Sequence, residues 1–341
     1  MGSASLYPAS SQSTLSSSQS HSLSSHPVSE HVDHGFSFMG MGEQTNDFCG
    51  KIRSMIACPE CHYYVPIRIR CKRSTCPVCF HSLIGRGAES AQSRIMGYYN
   101  AQLADNPAGG SRRGRVRLPY HAVLSLPEDQ YCPSYVSEKE EMKRLKDIFR
   151  KQALKMGSTG GTSVIHVFRI KWGYKRLLNE LATRLNKSGE RTPSGGRYKL
   201  YDALRTLPNW RECVYYSPHV HIIGYGYLQP SNELEDGWVY KKIINRPLKD
   251  GEDVRHLISY LLSHATPVSG MHTVTYFGVC SYNKLVIVDK QYFHEPVLCP
   301  NGCSCELVYA DMDGIPYPHM ETYLRMRVII TYRMAGEPPS K

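Results

Sequence analysis

The chain has 341 residues, with 41 Lys and Arg against 30 Asp and Glu, a formal charge of +11, 12 cysteines and 41% hydrophobic residues. That length holds one large core or two modest ones, and no run is long and apolar enough to span a membrane. Residues 1–45 contain three acids and no Lys or Arg, so the remainder carries +14, which points to a polyanionic partner such as nucleic acid or to a solvated basic surface.

Residues 1–45 are Ser-rich with scattered His21, His26, His31 and His34. Too few apolar residues are present to offset the entropy of ordering, so a disordered tail is expected. The start lacks the basic region and apolar core of a secretory signal. A cytoplasmic chain with reduced, metal-binding thiols is therefore expected, rather than disulfides. Residues 46–100 read as a cysteine-dense module and a connecting helix. DNPAGGSRRGRVR (105–117) is a linker turning into a basic entry strand, and YHAVLSLPE (120–128) alternates as a strand until Pro127. SEKEEMKRLKDIFRKQALKMG (137–157) predicts a helix capped by Ser137 and Glu140 and ended by Gly157. GTSVIHVFRI (161–170) predicts a strand, and 173–206 is helical around the loop SGERTPSGG (188–196). A strand over about 213–226 and a helix over 253–265 follow. YFGVCSYNKLVIV (276–288) mixes turn and strand, and LRMRVIITYRM (324–334) closes the chain as a strand. Alternating polarity in the strands predicts a sheet with one face covered, hence α+β rather than a doubly wound parallel sheet.

CPECHYYVPIRIRCKRSTCPVC places Cys58, Cys61, Cys76 and Cys79 as two C-x-x-C knuckles fourteen residues apart. Each knuckle can offer two thiolates to one tetrahedral zinc, with a hairpin between them. Cys49, Cys71, His62 or His81 could replace one of these ligands. Basic residues and Tyr63 and Tyr64 around the knuckle make it a candidate nucleic-acid contact as well as a structural appendage. CPNGCSC supplies Cys299, Cys303 and Cys305, three ligands of a possible second zinc, with Cys280 or His294 as a fourth.

SPHVHIIGYG (217–226) puts His219 and His221 on one face of a strand, about 7 Å apart, where their rings can converge on an ion. Two satisfied core histidines are the bland alternative. On the helix at 253–265, Val254, Leu257, Ile258, Leu261 and Leu262 form the apolar stripe. His256, Tyr260 and His264 fall one turn apart on the adjacent stripe. A divalent ion beside a phosphate acts as a Lewis acid, and a tyrosine hydroxyl can attack phosphorus to give a 5′-phosphotyrosine and a free 3′-OH.

These segments together resemble a family. SPHVHIIGYG looks like the His–hydrophobic–His motif of HUH endonucleases, YHAVLSLPE like their first motif, and HLISYLLSHA like their tyrosine motif. With CPEC…CPVC, the combination resembles rolling-circle replication initiators of small archaeal plasmids and viruses over about residues 110–290 plus the zinc module. The resemblance implies a ferredoxin- or RRM-like antiparallel sheet over residues 101–290, with residues 291–341 as a cysteine-containing extension. It implies His219 and His221 as ligands of Mg²⁺ or Mn²⁺, and Tyr260 as the single nucleophile. His264 is the expected third ligand, with Glu128, His121 and His166 as alternatives. Implied partners are single-stranded or cruciform origin DNA and host helicase and polymerase, and no Walker A sequence is present. Arg112, Arg113, Arg115 and Arg117 before the first motif strand, and Lys171, Lys175 and Arg176, could follow phosphates. A transposase of IS91-like type shares the chemistry, and a non-catalytic zinc-ribbon DNA-binding regulator is the reading from another class.

Overall fold

The computed structural model describes residues 35–42, 47–105, 117–131, 136–192, 196–230, 237–243, 248–315 and 322–335. In chain order, β1 (Ile52–Ala57) and β2 (Tyr64–Arg68) form a hairpin across the first knuckle, and α1 (Phe80–Asp105) follows. Then come β3 (Tyr120–Ser125), α2 (Glu138–Lys155), β4 (Ser158–Ile170), α3 (Trp172–Lys187) and α4 (Leu200–Arg205). The remainder is β5 (Val214–Gly226), β6 (Val239–Lys242), α5 (Gly251–Ser263), β7 (Val274–Gly278), β8 (Leu285–Pro296), β9 (Val308–Ala310) and β10 (Leu324–Met334). The protein is α+β, and its paired strands are antiparallel. No helix among the described residues is long and apolar enough to cross a membrane.

The central sheet has the order β6-β3-β5-β4-β7. β3 and β4 both run antiparallel to β5, which lies between them, and α2 makes the crossover. Its start follows the local rule for a capped helix. Ser137 Oγ accepts from the Glu140 N–H and the Glu140 carboxylate accepts from the Ser137 N–H, while Gly157 at φ +94° turns the chain out of the helix. At one place β4 and β5 approach too closely for any side chain. A Cβ on Gly161 would sit 2.3 Å from the Ile223 carbonyl oxygen.

Both faces of this sheet are covered, contrary to the one-faced sheet expected from alternation. On one face, Met142, Leu145 and Phe149 of α2 and Leu178 and Ala182 of α3 meet Ala122, Leu124, Ile165, Val167, Val220 and Ile222. On the other, Ile84, Ala88, Ala91 and Ile95 of α1 and Val254, Ile258, Leu261 and Leu262 of α5 meet Val164, Ile223 and Tyr225. The polar positions that produced the alternation include His166, His219 and His221, and His166 and His219 are buried. Side-chain polarity therefore marked a histidine cluster under helices rather than a face open to water.

Three boundaries also differ. Phe36, Phe38 and Met39 are buried in the core, so a tail reaching residue 45 is too long. The aromatics of FSFM bring enough apolar surface to be worth ordering. α1 covers the central sheet and is more than a connector. The C-terminal extension is not separate either: β9 pairs with β1 in the sheet β2-β1-β9, and β8 pairs with β10 in a two-stranded ribbon.

Candidate functional site

Strand register assembles a histidine cluster on the face covered by α1 and α5. His219 and His221 project from β5, and His166 of β4 stands directly opposite His219. One ring nitrogen from each of His166, His219 and His221 lies within 4.8 Å of the others. Each ring is also held from behind. His219 Nδ1–H donates to the Ser217 carbonyl at 2.8 Å, and His166 Nε2–H donates to the Leu261 carbonyl at 3.1 Å. A carbonyl can only accept, so those nitrogens carry the protons and His219 Nε2 and His166 Nδ1 keep their lone pairs. His221 Nδ1 shares a 3.0 Å hydrogen bond with His121 Nε2 of β3, leaving Nε2 of His221 for the cluster. Outer hydrogen bonds of this kind orient metal-binding imidazoles.

Electrostatics keep the rings neutral. Burial holds His219 at about 4, with the positive charge of Arg169 adding to it. Burial alone brings His121 to about 4. His166 and His221 are held well below the ordinary imidazole range, first by burial and then by neighbouring histidines. Neutral imidazoles are the metal-binding form, so the cluster could offer three nitrogens to an ion.

His264 lies outside this group of three. It is buried as the C-cap of α5, 4.3 Å from the His166 ring by centroids and stacked on Tyr201 at 4.1 Å. Burial, His219 and Arg205 bring it to about 3. Glu128 is exposed in a 3₁₀ turn, and His121 acts behind His221, so among the alternatives His166 is the residue brought to the pair. Tyr260 is 51% exposed, with its ring 4.7 Å from that of His264. A path of ring contacts thus runs from an accessible phenol through His264 to His166. α5 itself is fastened to the cluster because its Leu261 carbonyl receives the His166 N–H. His256 faces solvent and pairs with Glu252 at 3.0 Å.

Arg169, which the sequence did not single out, sits on β4 near His219 and His221. Its Nη2 donates to Ser125 Oγ at 2.6 Å, and its buried Nε has no hydrogen-bond partner. Its signal was available in principle, since it lies three residues beyond His166 on a strand with a bulge between. Arg117 is exposed before the opposite end of β3 from Ser125, the residue that faces His219. Arg112, Arg113 and Arg115 lie outside the described residues. Lys171, Lys175 and Trp172 follow the His166 end of β4, with Trp172 85% exposed and Lys175 Nζ 5.5 Å from its ring centroid.

The cysteines regroup. Cys49, Cys71, Cys76 and Cys79 form one four-thiol group, and Cys58, Cys299, Cys303 and Cys305 form another. The structure does not bring Cys58 and Cys61 to Cys76 and Cys79. β1 and β2 carry the first knuckle away from the second, and β9 returns the C-terminal cysteines to it. Cys61 lies beside the second group, its Sγ 3.5 Å from that of Cys299. Neither Cys280 nor His294 joins it; Cys280 is buried under α1. Either four-thiol group could hold a structural metal such as zinc.

No family model, curated protein or solved structure matches this chain.

Proposed function

We propose that the protein is a metal-dependent, single-strand-specific DNA nicking and joining enzyme of HUH type that starts and ends rolling-circle replication. The observation that carries this reading is the placement of accessible Tyr260 one ring, that of His264, away from the neutral His166–His219–His221 cluster. The antiparallel order β6-β3-β5-β4-β7 with α2 as crossover supports the same reading. So do the chain's basic excess and the aromatic, basic rim at Trp172, which suit a single strand.

In this reading His166, His219 and His221 hold the ion. Three imidazoles without a carboxylate favour Mn²⁺ over Mg²⁺, which prefers oxygen. When bound, the ion supplies Lewis-acid polarisation of a phosphate oxygen. Tyr260 loses its phenolic proton to solvent and its Oη bonds to phosphorus. The bond to the 3′-oxygen breaks, and that oxygen leaves with a proton as a free 3′-OH. The phosphotyrosine bond keeps the energy needed to rejoin the strand. Arg169 adds positive charge where negative charge accumulates on phosphate.

Wild type should cut single-stranded DNA carrying its origin when Mn²⁺ is added, and Tyr260→Phe should leave that DNA intact. Equal cutting by the two proteins removes Tyr260 from the chemistry.

A further inference from the structure

We infer that the chain holds two zinc ions in thiolate sites that cross the C-x-x-C ribbon. Cys49, Cys71, Cys76 and Cys79 bind one. Cys58, Cys299 and Cys305 bind the other, completed by either Cys61 or Cys303. The inference is independent of the nicking reading.

Sulfur positions come first. Zinc at about 2.3 Å from four sulfurs sets them about 3.8 Å apart. Cys49 Sγ lies 3.5 Å from Cys76 Sγ and 2.9 Å from Cys79 Sγ, and Cys58 Sγ lies 2.9 Å from Cys305 Sγ. All members of each group are within 4.8 Å of one another. None of the described cysteines is in a disulfide, so no disulfide accounts for the clustering.

The backbone is a separate observation. Among the described residues, His62 and Lys72 are the non-glycine residues with positive φ, at 57° and 60°. One directly follows Cys61 and the other Cys71. A left-handed non-glycine residue costs on the order of 1 kcal/mol or more, and something must hold it. Backbone N–H groups also point at sulfur. Cys61 N–H donates to Cys58 Sγ at 3.3 Å, and Cys71 N–H to Cys79 Sγ at 3.2 Å. Such bonds favour the charged thiolate, the form a metal binds.

Packing adds the energetic reason. The buried residues around these groups are few: Ile56 and Leu307 beside Cys58 and Cys299, and cysteines alone around Cys49, Cys76 and Cys79. Cores this small need a metal or an equivalent staple. In the second site the staple joins residue 58 to residues 299–305, and so fixes β9 against β1.

Five thiols for four positions leave one over. Cys58 and Cys299 are buried, and Cys305 touches Cys58. Cys61 is exposed, with its Sγ 3.5 Å from that of Cys299, and Cys303 is half-buried, with its Sγ within 4.8 Å of those of Cys58, Cys299 and Cys305. Both thiols therefore reach the fourth position, where they exchange.

The full-length protein loaded with Co²⁺ tests this through thiolate-to-cobalt charge-transfer absorbance, which the histidine cluster does not produce. Wild type should show two thiolate-bound equivalents per chain. Cys49→Ser/Cys71→Ser should keep one, as should Cys58→Ser/Cys305→Ser. Cys61→Ser and Cys303→Ser should each keep two, and their combination one. A single equivalent in wild type, unaffected by Cys49→Ser/Cys71→Ser, restores the ribbon of Cys58, Cys61, Cys76 and Cys79. Loss of an equivalent in Cys61→Ser alone overturns the exchange. The wild-type count and the two single variants decide the matter even where the paired variants fail to fold.

Discussion

A buried histidine is ordinary; three that each give one nitrogen to an outer partner, with ring nitrogens within 4.8 Å of one another, could hold a metal ion. His166 therefore matters as much as the two histidines of the sequence motif. His166→Ala should abolish tight Mn²⁺ binding by calorimetry, whereas His264→Ala should retain it; the reverse pattern places the third ligand at the end of α5. His121→Ala removes only the partner behind His221, and should weaken metal binding about 10–100-fold. The neutral rings also set a pH dependence in the metal-free protein. An unfolded histidine titrates near 6.5, but folded His121 and His219 titrate at about 4 and His264 at about 3. Between those limits the unfolded state binds more protons, so stability is full above pH 6.5 and falls as pH drops toward 4. Each residue contributes a slope of up to about 1.4 kcal/mol per pH unit. Urea midpoints at pH 7 and pH 5 measure it, and equal midpoints contradict it.

Helices and strands with strong local signals were legible. The helix expected over 137–157 is α2, Glu138–Lys155, because its capping box is written in consecutive residues. Ser137→Ala should cost about 1 kcal/mol in chemical denaturation. The strand expected over about 213–226 is β5, Val214–Gly226, and the final strand at 324–334 is β10. Elements defined by distant partners were not legible. β9 is three residues long and exists because β1 receives it, and β6 likewise depends on β3. The cysteine pairing failed for the same reason, since spacing along the chain says nothing of a strand that returns 250 residues later. His219 and His221 were readable from alternation, while His166 needed the β4–β5 register. That register is tight: Gly161→Ala must push β4 off β5 and should destabilise the protein by about 1–3 kcal/mol in the same denaturation assay.

Across the whole molecule, one sheet carries the histidines, one helix carries the tyrosine, and the His166–Leu261 hydrogen bond joins them. The arrangement buries the histidine cluster and leaves the Tyr260 phenol, beside His264, half exposed. The most direct test is the mass of the Tyr260 peptide after incubation with origin single-stranded DNA and Mn²⁺, followed by nuclease trimming. The account predicts a nucleotide attached through a 5′-phosphate to Tyr260 in wild type, and its loss in His219→Ala/His221→Ala. A cleaved strand with no protein-linked nucleotide, or one linked to another residue, contradicts it.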